Sequence, residues 1–357
     1  MTSLFDPIIV GAIEAPNRIM MAPLTRGRAT RSHVPTPLMG NYYSQRASAG
    51  LIISEATGIS QQGLGWPSAP GLWSKEQEDA WKPVVRAVHE AGGRIFAQLW
   101  HMGRLVHPDY LGGAQPVSAS ATTAPGHAHT YEGTKPYAES RALEPHEISQ
   151  IIDDYAVAAG HAMSAGFDGV QLHAANGYLI DQFLRDGTNR REDSYGGPVE
   201  NRIRLLIEVT QMLINAVGAD RTGVRLSPND DPQGCGDSDS EHLFTKAVEG
   251  LDELGIAFLE MRASRPESTF RPATRQLVPA IRRAFKGTLI LNSDYALDDA
   301  SQALRLGEAD AIAFGRPFLA NPDLPERFAK RAVLNAPNTR TFYTPGPAGY
   351  TDYPPLA

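Results

Sequence analysis

The chain has 357 residues, 42% of them hydrophobic and 20% charged, which is apolar material for a large core and excludes a disordered polypeptide. A net charge of −7 with no block of like basic residues argues against nucleic acid or an anionic membrane surface as partner. The single cysteine, Cys235, excludes an intrachain disulfide and fits a reducing cytoplasm.

The first residues, Met1-Thr-Ser-Leu-Phe-Asp-Pro, lack a basic region followed by a long apolar one, so no secretory leader is expected. No apolar run approaches the length of a bilayer span. Residues 4–15 read as a short hairpin ahead of the main fold. A rhythm of short buried-looking runs then begins: Arg18–Ala22, Leu51–Ser54, Arg94–Trp100, Gly169–Leu172, Gly223–Leu226, Ala257–Met261, Thr288–Leu291 and Ala311–Phe314. Such short apolar or β-branched runs are what parallel strands buried on both faces look like.

Helical patterns lie between them. Ser74-Lys-Glu-Gln77 is a capping box ahead of Ala80, Trp81, Val84, Val85 and Val88, and Gly92-Gly93 closes that helix. Glu147–Gly166 places Ile148, Ile151, Ile152, Tyr155, Ala159 and Met163 on one face, and Arg202–Val217 repeats the pattern. Shorter helices fit Glu241–Leu254, Ala273–Phe285, Asp298–Leu306 and Asp323–Arg331. Eight strands alternating with helices predict an α/β fold, a (β/α)8 TIM barrel, with right-handed crossovers closing the ring. The eightfold count disfavours the other arrangement, a doubly wound open sheet. A barrel with insertions takes all of residues 1–357 as one domain.

Two intervals interrupt the rhythm. Residues 103–143 show no clear helix and form a capping insertion after the third strand. Residues 177–201 make a second long loop after the fourth. The Arg-rich run from Arg185 to Arg204 is interleaved with Asp186, Glu192, Asp193 and Glu200 and reads as a self-neutralising ion-pair loop. The Pro-, Gly- and Tyr-rich tail, 337–357, is expected to fold back over the barrel.

A barrel builds its site at the C-terminal ends of its strands. Those ends are Pro23-Leu24-Thr25, Glu55-Ala56, Gln98 with Trp100, His173 with Asn176, then Arg225, Met261, Asn292-Ser293 and Gly315-Arg316. His173 and Asn176 can donate hydrogen bonds to one point, and Tyr178 can bring a phenolic proton to a neighbouring atom. The inward Arg225 needs an anionic partner: a bound anionic or electron-rich cofactor, or a strand-end carboxylate such as Glu55. Gly315-Arg316 lies at the usual phosphate position of such barrels. Gly63-Leu-Gly65 lacks the third glycine of a dinucleotide fingerprint and reads as a turn. No Gly-x-Ser-x-Gly elbow, Walker loop or His-Glu-x-x-His is present. His127-Ala-His129 lies in an irregular loop with no evident third ligand, so no metal is expected.

These residues carry a resemblance. Asn17-Arg-Ile-Met-Met-Ala-Pro-Leu-Thr-Arg26, His173-Ala-Ala-Asn-Gly-Tyr-Leu-Ile-Asp-Gln-Phe183, Asn189-Arg-Arg-Glu-Asp-Ser-Tyr-Gly-Gly197 and Phe314-Gly-Arg-Pro-Phe-Leu-Ala-Asn-Pro322 resemble the Old Yellow Enzyme family of flavin mononucleotide (FMN) ene-reductases, in particular its bacterial N-ethylmaleimide and nitrate-ester reductases. The resemblance runs from Leu4 to the Gly349–Pro354 tail.

It implies that Pro23, Leu24 and Thr25 pack on a non-covalent FMN, with Ala56, Gln98 and His173 against its ring and Arg225 beside its N1 and O2. Gly315, Arg316, Asn292 and Ser293 would serve its phosphate. Many relatives have Gly where this chain has Asn292-Ser293-Asp294, so Asp294 is expected to point away. The substrate cavity would be walled by Trp66, Trp100 and Tyr350. His173 and Asn176 would polarise the substrate and Tyr178 would protonate it; close bacterial relatives often have His/His. The activity implied is reduction of enones, maleimides and nitroalkenes by NADPH or NADH, extending to nitrate esters, in a cytoplasmic monomer or weak homo-oligomer. A flavin-free barrel lyase or isomerase would leave Thr25, Gln98 and Arg225 without a task, and a non-catalytic flavin carrier would have no use for Tyr178.

Overall fold

Eight short parallel strands close on one another in the computed structural model, which describes residues 2–263 and 276–356. They are β1 (Ile19–Met21), β2 (Ile52–Ile53), β3 (Ile95–Trp100), β4 (Gly169–His173), β5 (Thr222–Leu226), β6 (Phe258–Arg262), β7 (Thr288–Asn292) and β8 (Ala311–Phe314). Each pairs with the next in chain order, and β8 returns to β1 through Phe314 opposite Met21. The (β/α)8 barrel predicted from the rhythm is therefore formed.

Strand residues alternate between two environments because successive side chains point to opposite faces. Ile19, Met21, Ile52, Ile95, Leu99, Leu172, Leu259 and Met261 join the layer between sheet and helices. Met20, Ala22, Leu51, Ile53, Phe96, Phe258 and Ile290 form a separate inner cluster. Phe96 and Phe258, from strands on opposite sides of the ring, meet at 5.7 Å between ring centroids. The antiparallel hairpin Ile8–Val10 with Ile13–Ala15 adds Val10, Ile13 and Ala15 to that cluster and plugs the end away from the site.

The surrounding helices are α1 (Pro37–Ser44), α2 (Lys75–Glu90), α3 (Pro145–Ala165), α4 (Arg204–Val217), α5 (Ser240–Glu253), α6 (Val278–Ala284), α7 (Leu297–Arg305) and α8 (Leu324–Ala329). The Ser74 hydroxyl accepts from the Gln77 N–H at 3.3 Å, a cap that contributes about 1 kcal/mol. Helix α3 stops at Gly166, whose φ of 96° is the left-handed end turn that glycine takes without a Cβ penalty. The start of the helix expected over 273–285 lies outside the described residues. No helix was expected at α1, although Thr36-Pro37 is a legible start; only two turns long, it buries Met39, Tyr42 and Tyr43. Among the described residues no helix is long and apolar enough to cross a membrane.

The insertion is more regular than expected. Val117–Ser118 pairs in parallel with Arg141–Ala142, and His127–Thr130 forms an antiparallel hairpin with Gly133–Pro136. His127 and His129 are thus strand residues on an exposed face, with Ala128 and Thr130 buried on the other.

The tail is strapped by arginines to the segment that follows β1. Arg26 donates to the carbonyls of Gly349 (2.7 Å) and Phe342 (3.1 Å), and Arg28 donates to those of Phe342 (2.6 Å) and Thr341 (2.9 Å). The Arg-rich run is only partly self-neutralising. Arg191 pairs with Asp193 inside it, but Arg185 and Arg202 find Asp181 and Asp237 outside it.

Candidate active site

Alternation decides which strand-end residues share the barrel mouth. Gln98 and Trp100 lie on the Phe96 parity of β3, and Glu260 and Arg262 on the Phe258 parity of β6. Met261 falls on the opposite parity and packs toward the helices. Its place in the ring belongs to Glu260 and Arg262, one residue to either side.

A polar chain crosses the barrel below the mouth. Gln98 Nε2 donates to Gln171 Oε1 (2.7 Å) and Gln171 Nε2 to Glu260 Oε2 (2.7 Å). Glu260 Oε1 lies 3.2 Å from Arg225 Nε, and Arg225 Nη2 donates to Asn292 Oδ1 (2.7 Å). The carboxylate beside Arg225 is therefore Glu260, not Glu55. Glu55 instead accepts from the N–H groups of Arg26 and Gly27 and from the Tyr43 hydroxyl. Gln171 and Glu260 were missed, yet a period of two picks both out, counted back from His173 along β4 and forward from Phe258 along β6.

His173 is buried, with Arg225 opposite it on β5. Burial, reinforced by the positive charges of Arg225 and Arg262, holds its pKa well below the ordinary histidine value, so the ring is neutral. Its Nδ1 accepts from the Ala175 N–H at 3.4 Å. The proton of the neutral imidazole therefore sits on Nε2, which is a donor. Trp100 stacks on His173 at 6.4 Å, and Tyr178 stands edge-on to both rings at 4.9 Å.

Asn176 takes a left-handed φ of 62°, which asparagine tolerates better than most residues. Its N–H donates to Ser227 Oγ (2.7 Å), and its Oδ1 accepts from Arg262, which also bonds Asp230 at 2.7 Å. Gly177 follows at φ 79°, where a Cβ would come within 2.6 Å of the Pro232 carbonyl oxygen. Its N–H donates to Asp181 (2.8 Å), and Leu179 N–H donates to the His101 carbonyl (3.0 Å). The structure thus brings His173, Asn176, Tyr178, Trp100, Arg225 and Gln98 to one end of the barrel.

The supporting His101 is wholly buried; Nδ1 accepts from Gly103 N–H (3.0 Å), and Nε2 has no partner among the described residues. Burial pushes its pKa down to about 3. An unfolded histidine titrates near 6.5, so unfolding takes up a proton anywhere between those values. This contribution to stability is intact above pH ~6.5 and is lost progressively as pH falls toward ~3, amounting to about 2 kcal/mol at pH 5. His101→Gln should flatten the fall in urea midpoint between pH 7 and 5. An unchanged slope would assign the acid limb to other groups.

The remaining expected residues divide. Pro23 and Ala56 are buried at the mouth, with Leu24 and Thr25 half-buried. A Cβ on Gly315 would lie 3.3 Å from Leu24 Cδ2, so the β1 and β8 ends are in contact. Trp66 meets His129 of the insertion at 4.7 Å and Tyr343 of the tail at 5.2 Å. Tyr350 does not meet Trp66; it is fully buried, stacked at 4.0 Å on Tyr42 and covered by Arg26 and Arg28. Tyr343 is the tail residue whose ring meets Trp66. Asn292 spends its side chain on Arg225 and on the Ala313 carbonyl (2.8 Å), which removes it from a phosphate. Asp294 is turned toward Arg316 and bonded to it, not away as expected. An anion held by Arg316 would displace that carboxylate or share the guanidinium with it.

The fit to FMN can be judged on this ring. Arg225 Nε and the Trp100 indole N–H are buried donors that make no hydrogen bond among the described residues, although Arg225 Nε lies 3.2 Å from Glu260 Oε1. Glu260 Oε1, facing Arg225, is likewise a buried oxygen that accepts no hydrogen bond among the described residues. An electron-accepting heterocycle whose acceptor edge meets Arg225 suits that set. A hollow of about 460 Å³ between Arg31, His33, Trp73, Asp109 and Tyr131 shares no residue with the ring. Among the described residues no three His, Cys, Asp or Glu side chains group as a metal site.

Residues 3–335 match the model of the NADH:flavin oxidoreductase / NADH oxidase family. The chain is 60% identical to an old yellow enzyme homologue from Zymomonas mobilis, with a TM-score of 0.98 over 99% of this chain and 100% of that one. Morphinone reductase, solved in complex with tetrahydroNAD, aligns at 45% identity and a TM-score of 0.94 over 100% of this chain and 98% of that one. The 12-oxophytodienoate reductase 2 of Arabidopsis thaliana is 42% identical over 359 residues, 99% of this chain and 96% of its own length. Family, barrel and buried donor set agree: the chain belongs to the NADH:flavin oxidoreductase / NADH oxidase family, as a member of the Old Yellow Enzyme type, an NAD(P)H-dependent flavin oxidoreductase with FMN as cofactor.

Proposed function

We propose that the chain is an ene-reductase for small activated alkenes, namely enones, maleimides and nitroalkenes, with nitrate esters as further acceptors. FMN, when bound, supplies the redox chemistry, passing a hydride from NAD(P)H to the β-carbon of the alkene. The observation that carries the reading is a neutral His173 with its proton on Nε2, beside Asn176 and Tyr178.

The substrate's carbonyl or nitro oxygen lies between His173 Nε2–H and the Asn176 amide N–H. Both donors are fixed before the substrate arrives, so they act as an oxyanion hole for the charge that develops on that oxygen. A neutral imidazole can donate there without yielding its proton. Trp100 and Trp66 wall the cavity, Tyr343 closes its rim, and the Tyr178 phenol protonates the α-carbon. Arg225 adds positive charge under the ring end, with Gln98, Pro23, Leu24, Thr25 and Ala56 around it. Gly315, Ser293 and Arg316 serve the phosphate.

Asn176→Ala should keep the yellow colour and FMN content while lowering kcat/KM for 2-cyclohexenone about 10²-fold, the scale for one oxyanion donor. It should also weaken a phenol titrated against the flavin absorbance. Normal turnover together with normal phenol binding would remove the polarising role.

A further inference from the structure

We infer that Arg262 is a positioning residue that sets which way the Asn176 amide faces, an inference that rests on the polarising role proposed for Asn176. A carboxamide can turn over about its last bond, exchanging an oxygen acceptor for an NH2 donor with almost no change of shape. Facing a substrate oxygen, one orientation donates a hydrogen bond and the other sets two acceptors against each other. Nothing in the backbone of Asn176 chooses between them, because Ser227 engages only its N–H.

Arg262 makes the choice. A guanidinium has donors and no acceptor, so the amide atom bonded to it has to be the oxygen, and Oδ1 is the atom there. The NH2 is then directed to the opposite side of the amide. Arg262 is itself tied down: Nη2 is 2.7 Å from Asp230 Oδ2, with both side chains largely buried at 13% and 16% exposure. Asp230 is fixed in turn, since its carbonyl accepts from Arg185 at 2.8 Å. An Asn176 → Arg262 → Asp230 relay thus links the donor on the β4 loop to the ends of β5 and β6. A histidine at position 176 would carry its own N–H and need no such partner.

The test is a double-mutant cycle read as kcat/KM for 2-cyclohexenone and as phenol affinity, with FMN content and circular dichroism measured on every variant. Arg262→Gln offers an acceptor of its own and lets the amide invert; it should lower kcat/KM about 10-fold. Arg262→Lys is donor-only and should stay within about 3-fold of wild type. In an Asn176→Ala background Arg262→Gln should have no further effect. An equal loss in both backgrounds would overturn the inference, as would equal loss for Lys and Gln or none for either. If Arg262→Gln fails to fold, Asp230→Asn takes its place, with a smaller loss that must likewise vanish without Asn176. If Asn176→Ala alone is silent, the polarising role itself fails and the inference falls with it.

Discussion

Replacing Tyr178 by Phe should leave bleaching of the flavin band by NADPH near the wild-type rate and slow its recovery with an enone about 10²-fold or more. The substitution keeps the ring that packs edge-on against Trp100 and His173 at 4.9 Å and removes only the hydroxyl. The backbone there is held independently of that hydroxyl: Leu179 N–H donates to the His101 carbonyl, and the Tyr178 carbonyl accepts from Gln182 N–H (2.8 Å). Only the second half of the cycle needs an acid, because the α-carbon becomes basic when the β-carbon is reduced. A phenol keeps its proton at neutral pH and regains it from water afterwards. Nitroalkenes, whose nitronates are stable without an enzymic acid, should be affected much less. Single-turnover absorbance follows both halves in one experiment. Equal slowing of the two would indicate a packing role, and undiminished enone turnover would leave the proton to water or to Tyr343 of the tail.

The architecture was legible because parallel strands buried on both faces leave a strong mark. Each of the eight runs was found within a residue or two of its observed bounds. The candidate site was legible where a side chain has no structural excuse, as at His173, Asn176, Tyr178 and Arg225, which the fold gathers at one end of the barrel. It was misread where two neighbours compete for one face. Taking Met261 for the β6 end overlooked that Phe258 points inward, which sends 260 and 262 inward with it. Glu260 was missed for that reason, and Glu55 was offered as the partner of Arg225 in its place. The tail left less of a mark in the sequence. Arg26, Arg28 and Arg46 grip the backbone around Tyr350, while Tyr343 meets Trp66. Long-range bonds of that kind join residues some 300 positions apart and leave no local pattern.

Arg185→Met should be the most destabilising single change near the site, lowering unfolding stability by about 3–5 kcal/mol. Arg185 and Asp181 are both fully buried, with Nε 2.7 Å from Oδ1. Removing the cation leaves a carboxylate inside the protein with only the Gly177 N–H to satisfy its other oxygen. Two further bonds vanish with it, to the carbonyls of Ser227 (2.7 Å) and Asp230 (2.8 Å). Those carbonyls belong to the loop whose Ser227 hydroxyl holds Asn176 and whose Asp230 holds Arg262, so activity should fall even where the protein remains folded. The pair's electrostatic and positional roles can be separated. Exchanging both partners, Asp181→Leu with Arg185→Met, removes the stranded charge, and apolar replacement of a whole buried pair is often close to neutral. The double variant should therefore recover most of the urea midpoint lost by Arg185→Met. It should not recover enone turnover, because Gly177 N–H now loses its acceptor as well and the Ser227 and Asp230 carbonyls remain unheld. Recovery of both would show that the loop is placed by packing alone, and a loss below about 1 kcal/mol for Arg185→Met would rank the pair with exposed ones.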